Sequence, residues 1–178
     1  EKMSAKIRIT DLGRPDLTDV QRLAHEYGES LALDMSSQGI LAEASLRTGL
    51  DDFGALDFVD RMSLWLDEVG QDPDRLRIAN LSLRNSCVRY ASNRLLTQDL
   101  LRRHPEIHDI KIERPIIILG LPRTGTTHLL NLLSADQSMR SMPLWESYEP
   151  IPMPGDGPGP DGRDPRYVRC AKEWEQMQ

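Results

Sequence analysis

The residues with the clearest chemical meaning lie in one segment, PIIILGLPRTGTTHLLNLL, residues 115–133. An aliphatic run, Ile116 to Leu119, feeds a turn bounded by Gly120 and Gly125, and a helical pattern begins at once with Thr126. A helix start carries unpaired backbone N–H groups and the positive end of the helix dipole, so an anion held there is stabilised without any side-chain charge. Two glycines let the backbone turn tightly and approach an anion with no Cβ in the way. Thr124, Thr126 and Thr127 offer hydroxyls, and Arg123 is the cation of the loop.

The spacing Gly120-x-x-x-x-Gly125 is that of a Walker loop, but the residue after the second glycine is Thr126 where such a loop carries Lys. Lysine there reaches the β- and γ-phosphates of a nucleoside triphosphate. Its replacement by threonine, with Arg123 ahead of the second glycine, suits a forked guanidinium grasping one phosphate or sulfonate. A degenerate P-loop kinase or NTPase is the alternative. It lacks both this lysine and an evident strand ending in an Asp for magnesium. The plain structural reading is a strand, a turn and a helix capped by threonine.

The loop Pro122-Arg123-Thr124-Gly125-Thr126-Thr127 resembles the PRSGTT or PKSGTT loop of sulfotransferases, which bind the 5′-phosphosulfate of 3′-phosphoadenosine 5′-phosphosulfate (PAPS). With the following MPLWESYEPIP (residues 142–152), the run is similar to the broad bacterial PAPS-dependent family and, less closely, to protein-tyrosine sulfotransferases. The resemblance implies that Arg123 binds the phosphosulfate and neutralises the leaving oxygen. It further implies that Thr124, Gly125, Thr126 and Thr127 supply donors and that His128 flanks the group or packs. Related enzymes place a glutamate shortly after this helix. Glu146 lies near that position, and is the candidate general base beside Trp145; the bland alternative is a surface carboxylate next to a core tryptophan. The family's second element, a Ser and Arg pair for the 3′-phosphate, has no counterpart here: Arg163, Arg166 and Arg169 sit in or beside a Pro/Gly-rich stretch and read as solvated. The likeness is to the first half of a sulfotransferase, moving a sulfonyl group from PAPS to a hydroxyl of a small molecule or lipid, with no metal.

The elements that must position this loop follow from periodicity. Leu17, Val20, Leu23, Ala24, Tyr27 and Leu31 share a helical face, with the start placed at Pro15 and Asp16. Phe58, Met62, Trp65, Leu66 and Val69 form a second face that stops at Gly70, and residues 74–103 a third, with Leu81, Val88, Ala91, Leu95 and Leu96 inward. Residues 34–56 read as loop with at most a helical turn. Ile116 to Leu119 read as a strand buried on both faces, residues 142–152 as holding a short strand, residues 152–165 as loop, and residues 166–178 as a helix start. The expected fold is therefore α/β: a P-loop-type, mostly parallel sheet flanked by helices, from 111 to 178, preceded by an all-helical region from 1 to 110. A non-catalytic reading also stands, in which the helical faces pack on the α/β part, cover an acceptor pocket or form a homodimer.

Bulk properties bound the rest. Of 178 residues, 39% are hydrophobic and 28% charged, enough for a packed core. A net charge of −6 argues against nucleic acid as a partner. Cys87 and Cys170 make no disulfide framework, and His25, His104, His108 and His128 have no metal-ligand spacing. The opening EKMSAKIR is charged and has no apolar core, so no secretory leader is expected; the longest apolar run, residues 115–122, is too short to span a membrane, and a cytoplasmic setting is the default.

Overall fold

In the computed structural model, residues 16–159 and 161–176 are described. The opening EKMSAKIR, the helix start read at Pro15, Pro160 of the Pro/Gly-rich stretch and residues 177–178 lie outside them. The helices are α1 (Asp19–Ser30), α2 (Ser37–Thr48), α3 (Asp57–Gly70), α4 (Arg77–Arg103), α5 (Thr126–Ser134), α6 (Leu144–Tyr148) and α7 (Pro165–Gln176), with a short 3₁₀ turn at Pro105–Asp109.

The N-terminal helices start where local chemistry permits. Thr18 caps α1 in a reciprocal capping box, its hydroxyl accepting from the Gln21 amide and the Gln21 side chain accepting from the Thr18 amide. Ser36 caps α2 through the Gly39 amide at 3.0 Å, and Gly49 ends it in the left-handed conformation at φ 71°. The helix α2 corrects the reading of 34–56 as loop. Its buried stripe is Ile40, Ala44 and Thr48, four residues apart, and two of the three are small or polar. The apolar period is therefore faint in the sequence, although this face packs most extensively on α4.

α4 is the organising element, about 40 Å long at 1.5 Å per residue. Cys87, Val88, Ala91, Leu95 and Leu96 bury one of its faces, and the cluster is completed by Ile40, Ala44, Phe53 and Leu66. Arg94 ties down the α2–α3 connection, donating to the Phe53 carbonyl at 2.6 Å and the Ala55 carbonyl at 2.7 Å, with its guanidinium 4.4 Å from the centre of the Phe58 ring. α1 crosses α4 at Gly28, where an added Cβ would stand 2.8 Å from the Ile78 backbone nitrogen. That close approach leaves Val20, Leu23 and Tyr27 exposed, so the apolar stripe of α1 is not its packing face.

The expected parallel sheet is not present: among the described residues there is no strand, and the fold is helical. Residues 115–119 form no ladder, and Ile117 and Leu119 are 74% and 88% exposed. A strand exists only through its neighbours' hydrogen bonds, and no described segment lies alongside this one. Ile116 and Ile118 instead face Leu130 and Leu133 of α5 across a cavity of about 300 Å³. The strand expected within 142–152 is likewise replaced, here by α6, which follows Pro143. Proline at that junction is compatible with a helix start and supplies no ladder donor.

Leu95 is fully buried at the centre of the cluster. Leu95→Ala should cost about 2–5 kcal/mol of unfolding free energy, measurable as a lowered urea midpoint, whereas Leu46→Ala on the exposed side of α2 should change it little.

Candidate functional site

The loop is built from the turn outward. Leu121 to Thr124 form a β-turn in which the Thr124 amide donates to the Leu121 carbonyl at 3.3 Å. Pro122 takes the second position and Arg123 the third, at φ 68°. That third position with positive φ is ordinarily filled by glycine or asparagine in a type II turn. An arginine held there costs of order 1 kcal/mol. Gly125 follows at φ 90° with open space around its α-carbon, so conformation is what demands glycine there. Gly120 is demanded by space: a Cβ would stand 2.7 Å from Cγ2 of Thr126 and 2.9 Å from Oγ1 of Thr124.

The helix α5 begins immediately. Its first capping bond runs from the Leu129 amide to the Gly125 carbonyl at 3.0 Å, and no side chain caps it. The amides of Thr126, Thr127 and His128 therefore precede the first i→i−4 acceptor and are left for an external partner. The Thr124 hydroxyl is committed inside the turn, donating to the Leu121 carbonyl at 2.7 Å, so it serves the loop's shape rather than acting as a free donor. Thr127 and His128 are exposed. Arg123 is exposed and forms no hydrogen bond or ion pair among the described residues. Three amides, the Thr127 hydroxyl and the Arg123 guanidinium thus lie in one short, solvent-exposed stretch of chain. The loop lines neither the cavity between residues 116–118 and α5 nor the larger one beside α4.

The other expected site residue is paired elsewhere. Glu146, in α6, accepts a hydrogen bond from Arg140 at 2.6 Å and makes no bond to the loop. Its neighbour Trp145 carries the Arg166 guanidinium 4.7 Å from its ring centre, so it serves the α6–α7 contact. Arg166 and Arg169 correct the expectation of solvated arginines. Arg166 pairs with Asp164 at 2.6 Å and donates to the carbonyls of Glu149 and Pro150. Arg169 is gripped by Glu149 and, at 2.7 Å, by Asp156. Only Arg163 remains largely solvated, beside Asp161. The pairings of Arg169 are invisible in the sequence because its acids lie 13 and 20 positions away in a stretch without periodicity. Among the described residues no group of three His, Cys, Asp or Glu could hold a metal ion, and no helix is long and apolar enough to cross a membrane.

Residues 115–177 match the model of the sulfotransferase family. The match takes in 63 of the 178 residues, and makes that segment similar to the family. Two solved structures are similar to this chain. Sulfotransferase STF9 from Mycobacterium avium is 27% identical with a TM-score of 0.69, over 83% of this chain and 37% of that one. Sulfotransferase STF1 from Mycobacterium tuberculosis H37Rv is 28% identical with a TM-score of 0.64, over 79% of this chain and 38% of that one. The chain thus spans less than two fifths of the length of either. No curated protein matches it. The family match begins at the aliphatic run and contains the whole loop, so the segment singled out by its chemistry is also the one that the family model matches.

The Arg–carboxylate network should make the α6–α7 contact acid-sensitive. Hydrogen bonds from Arg169 and Arg166 hold Asp156 and Asp164 below their ordinary value of 3.8. A lowered folded pKa stabilises the pair above the unfolded value and is lost as pH falls through the folded one. Fluorescence reporting on Trp145 should therefore be constant near neutrality and change only as pH falls below 3.8. Asp156→Asn should produce part of that change already at pH 7.

Proposed function

We propose that this chain carries the phosphosulfate-binding half of a PAPS-dependent sulfotransferase that acts on a hydroxyl of a small-molecule or lipid acceptor. One observation carries the reading: Arg123, without any protein partner among the described residues, is held in a left-handed backbone conformation at the mouth of α5, beside three amides that have no helical acceptor. A guanidinium and a helix N-terminus in one place answer a compact, multiply charged anion. The family match over 115–177 supports a sulfonated nucleotide as that anion.

The residues present fit such a donor. The cradle below it is set by Gly120, where a side chain would collide with Thr124 and Thr126. The bound donor supplies an activated sulfonyl group. On transfer, the acceptor oxygen bonds to sulfur, the sulfur–oxygen bond to the phosphate breaks, and negative charge collects on the departing oxygen. In this reading Arg123 and the amides of residues 126–128 neutralise that charge. Thr127 adds a hydroxyl donor, Gly125 permits the close approach, and His128 flanks the rim. Glu146 is the proposed acceptor of the hydroxyl proton. Arg140 engages that carboxylate, so proton transfer requires the pair to loosen. A cytoplasmic setting, with both thiols free, belongs to the same reading.

Arg123→Ala should weaken binding of adenosine 3′,5′-bisphosphate about 10- to 100-fold in isothermal titration, the loss expected of charge-assisted hydrogen bonds. Unchanged affinity would remove the basis of the proposal, as would stabilisation by ATP with magnesium but not by the bisphosphate.

Glu146→Gln tests the base separately. In the full-length protein, transfer of labelled sulfonyl from PAPS to a hydroxylic acceptor should fall about 10²- to 10⁴-fold while bisphosphate affinity stays constant. Equal rates would reduce Glu146 to the structural partner of Arg140. The exposed half of that pair makes a large stability change unexpected.

A further inference from the structure

A second cavity, of about 770 Å³, lies between α4 and the α6–α7 unit and is separate from the loop. Its size is in the range of small-molecule sites. Its decisive feature is Arg89. The other half-buried arginines each donate to a protein oxygen: Arg75 to Asn80, Arg84 and Arg94 to backbone carbonyls, Arg166 and Arg169 to carboxylates. Arg89 alone of this class has no hydrogen-bond partner among the described residues, and its Nε is shut off from solvent. Its guanidinium is fixed all the same, lying 4.2 Å from the centre of the Tyr148 ring. Tyr148 is itself anchored by its carbonyl, which accepts from the Asn93 side chain at 2.7 Å.

Beside Arg89 in the cavity wall is Ser92, only 6% exposed, whose Oγ also lacks a partner. A buried polar atom left without a partner costs about 1–3 kcal/mol. Two of them on successive turns of one helix, in residues that line one cavity, are polar groups that the fold leaves unspent beside that cavity. The other charges limit what that molecule is. Arg47 and Arg84 share Glu43, and Arg169 lies between Glu149 and Asp156, so these three arginines and three carboxylates cancel. Arg89 and the carboxylate of Glu173 remain. A polyanion would meet Glu173 and have one cation to answer it; a single negative charge matches Arg89 alone. Leu81 and Met153 give the wall an apolar portion, and Asn85 a polar mouth.

We propose that the cavity between α4 and α6–α7 binds a small organic monoanion, a sulfate ester or carboxylate with an apolar body, through the Tyr148-backed guanidinium of Arg89 with Ser92 behind it. The site is distinct from the Arg123 loop and stands whether or not the loop binds PAPS. Occupancy would join α4 to α6 and α7, which the described contacts connect mainly through Tyr148.

The probe is sodium phenyl sulfate, with phenol as its uncharged control, titrated into the ¹⁵N-labelled chain while arginine Nε–H signals are followed by NMR. The Arg89 signal, assigned by its absence in Arg89→Lys, should shift saturably with phenyl sulfate and not with phenol. Arg89→Gln should weaken the affinity at least about tenfold. Asn85→Asp, which adds a negative charge at the mouth without touching the Tyr148 contact, should weaken it in the same direction and covers the case in which Arg89→Gln fails to fold. Excess adenosine 3′,5′-bisphosphate should leave the phenyl sulfate shift in place. No saturable shift, equal binding by Asn85→Asp and wild type, or displacement by the bisphosphate would each overturn the proposal.

Discussion

One long helix holds the rest of the fold in place. α4 buries Val88, Ala91, Leu95 and Leu96 against α2 and the Phe53 connection, and so supplies the only extended core of the described residues. Arg84 and Arg94 reach sideways from the same helix to the carbonyls of Asp34 and Phe53, so the segments entering α2 and α3 are held by α4 as well. Asn93 and Arg89 extend this influence to Tyr148 in α6. A helix that packs on one side and offers donors on another acts as both core and frame, and this explains how short α6 keeps its place without a buried residue of its own.

Charge is distributed on a consistent principle. In a chain of net charge −6, carboxylates are plentiful and nearly every described arginine has found one or a carbonyl. Surface pairs of this kind contribute little each, but they make the exceptions informative. Besides Arg114, which is exposed at φ 53°, the exceptions are two: Arg123 is exposed on a turn at φ 68°, and Arg89 is half-buried against an aromatic ring with its Nε unsatisfied. Both guanidiniums are placed by the fold and left unspent within it. The first belongs to the segment that the sulfotransferase family model matches; the second belongs to the junction between α4 and the α6–α7 unit.

The loop was legible because its chemistry is local. Positive φ at Gly125, a crowded Gly120, a cation at position 123 and a helix starting at 126 are all consequences of neighbours within six positions, and residue types report such constraints directly. The helices α1, α3, α4, α5 and α7 were legible for a related reason, since an apolar stripe recurs every three or four residues. α2 was not, because alanine and threonine sit where a larger apolar residue would announce the stripe. Residues 115–119 show the opposite failure. Four apolar residues in a row carry a strong preference for a buried strand, yet a strand needs ladder partners, and preference without partners leaves Leu119 in solvent.

The amino-acid sequence by itself determined the glycine-bounded turn, its missing lysine, and the resemblance those residues carry, because each depends on covalent neighbours. Tertiary structure alone decided which face of α1 packs, that Glu146 is bound by Arg140, that Arg166 and Arg169 are structural, and that Arg89 stands unpaired over Tyr148. Those outcomes depend on groups as far as 59 positions apart meeting in space, and no local pattern encodes which carboxylate or ring a given arginine will meet.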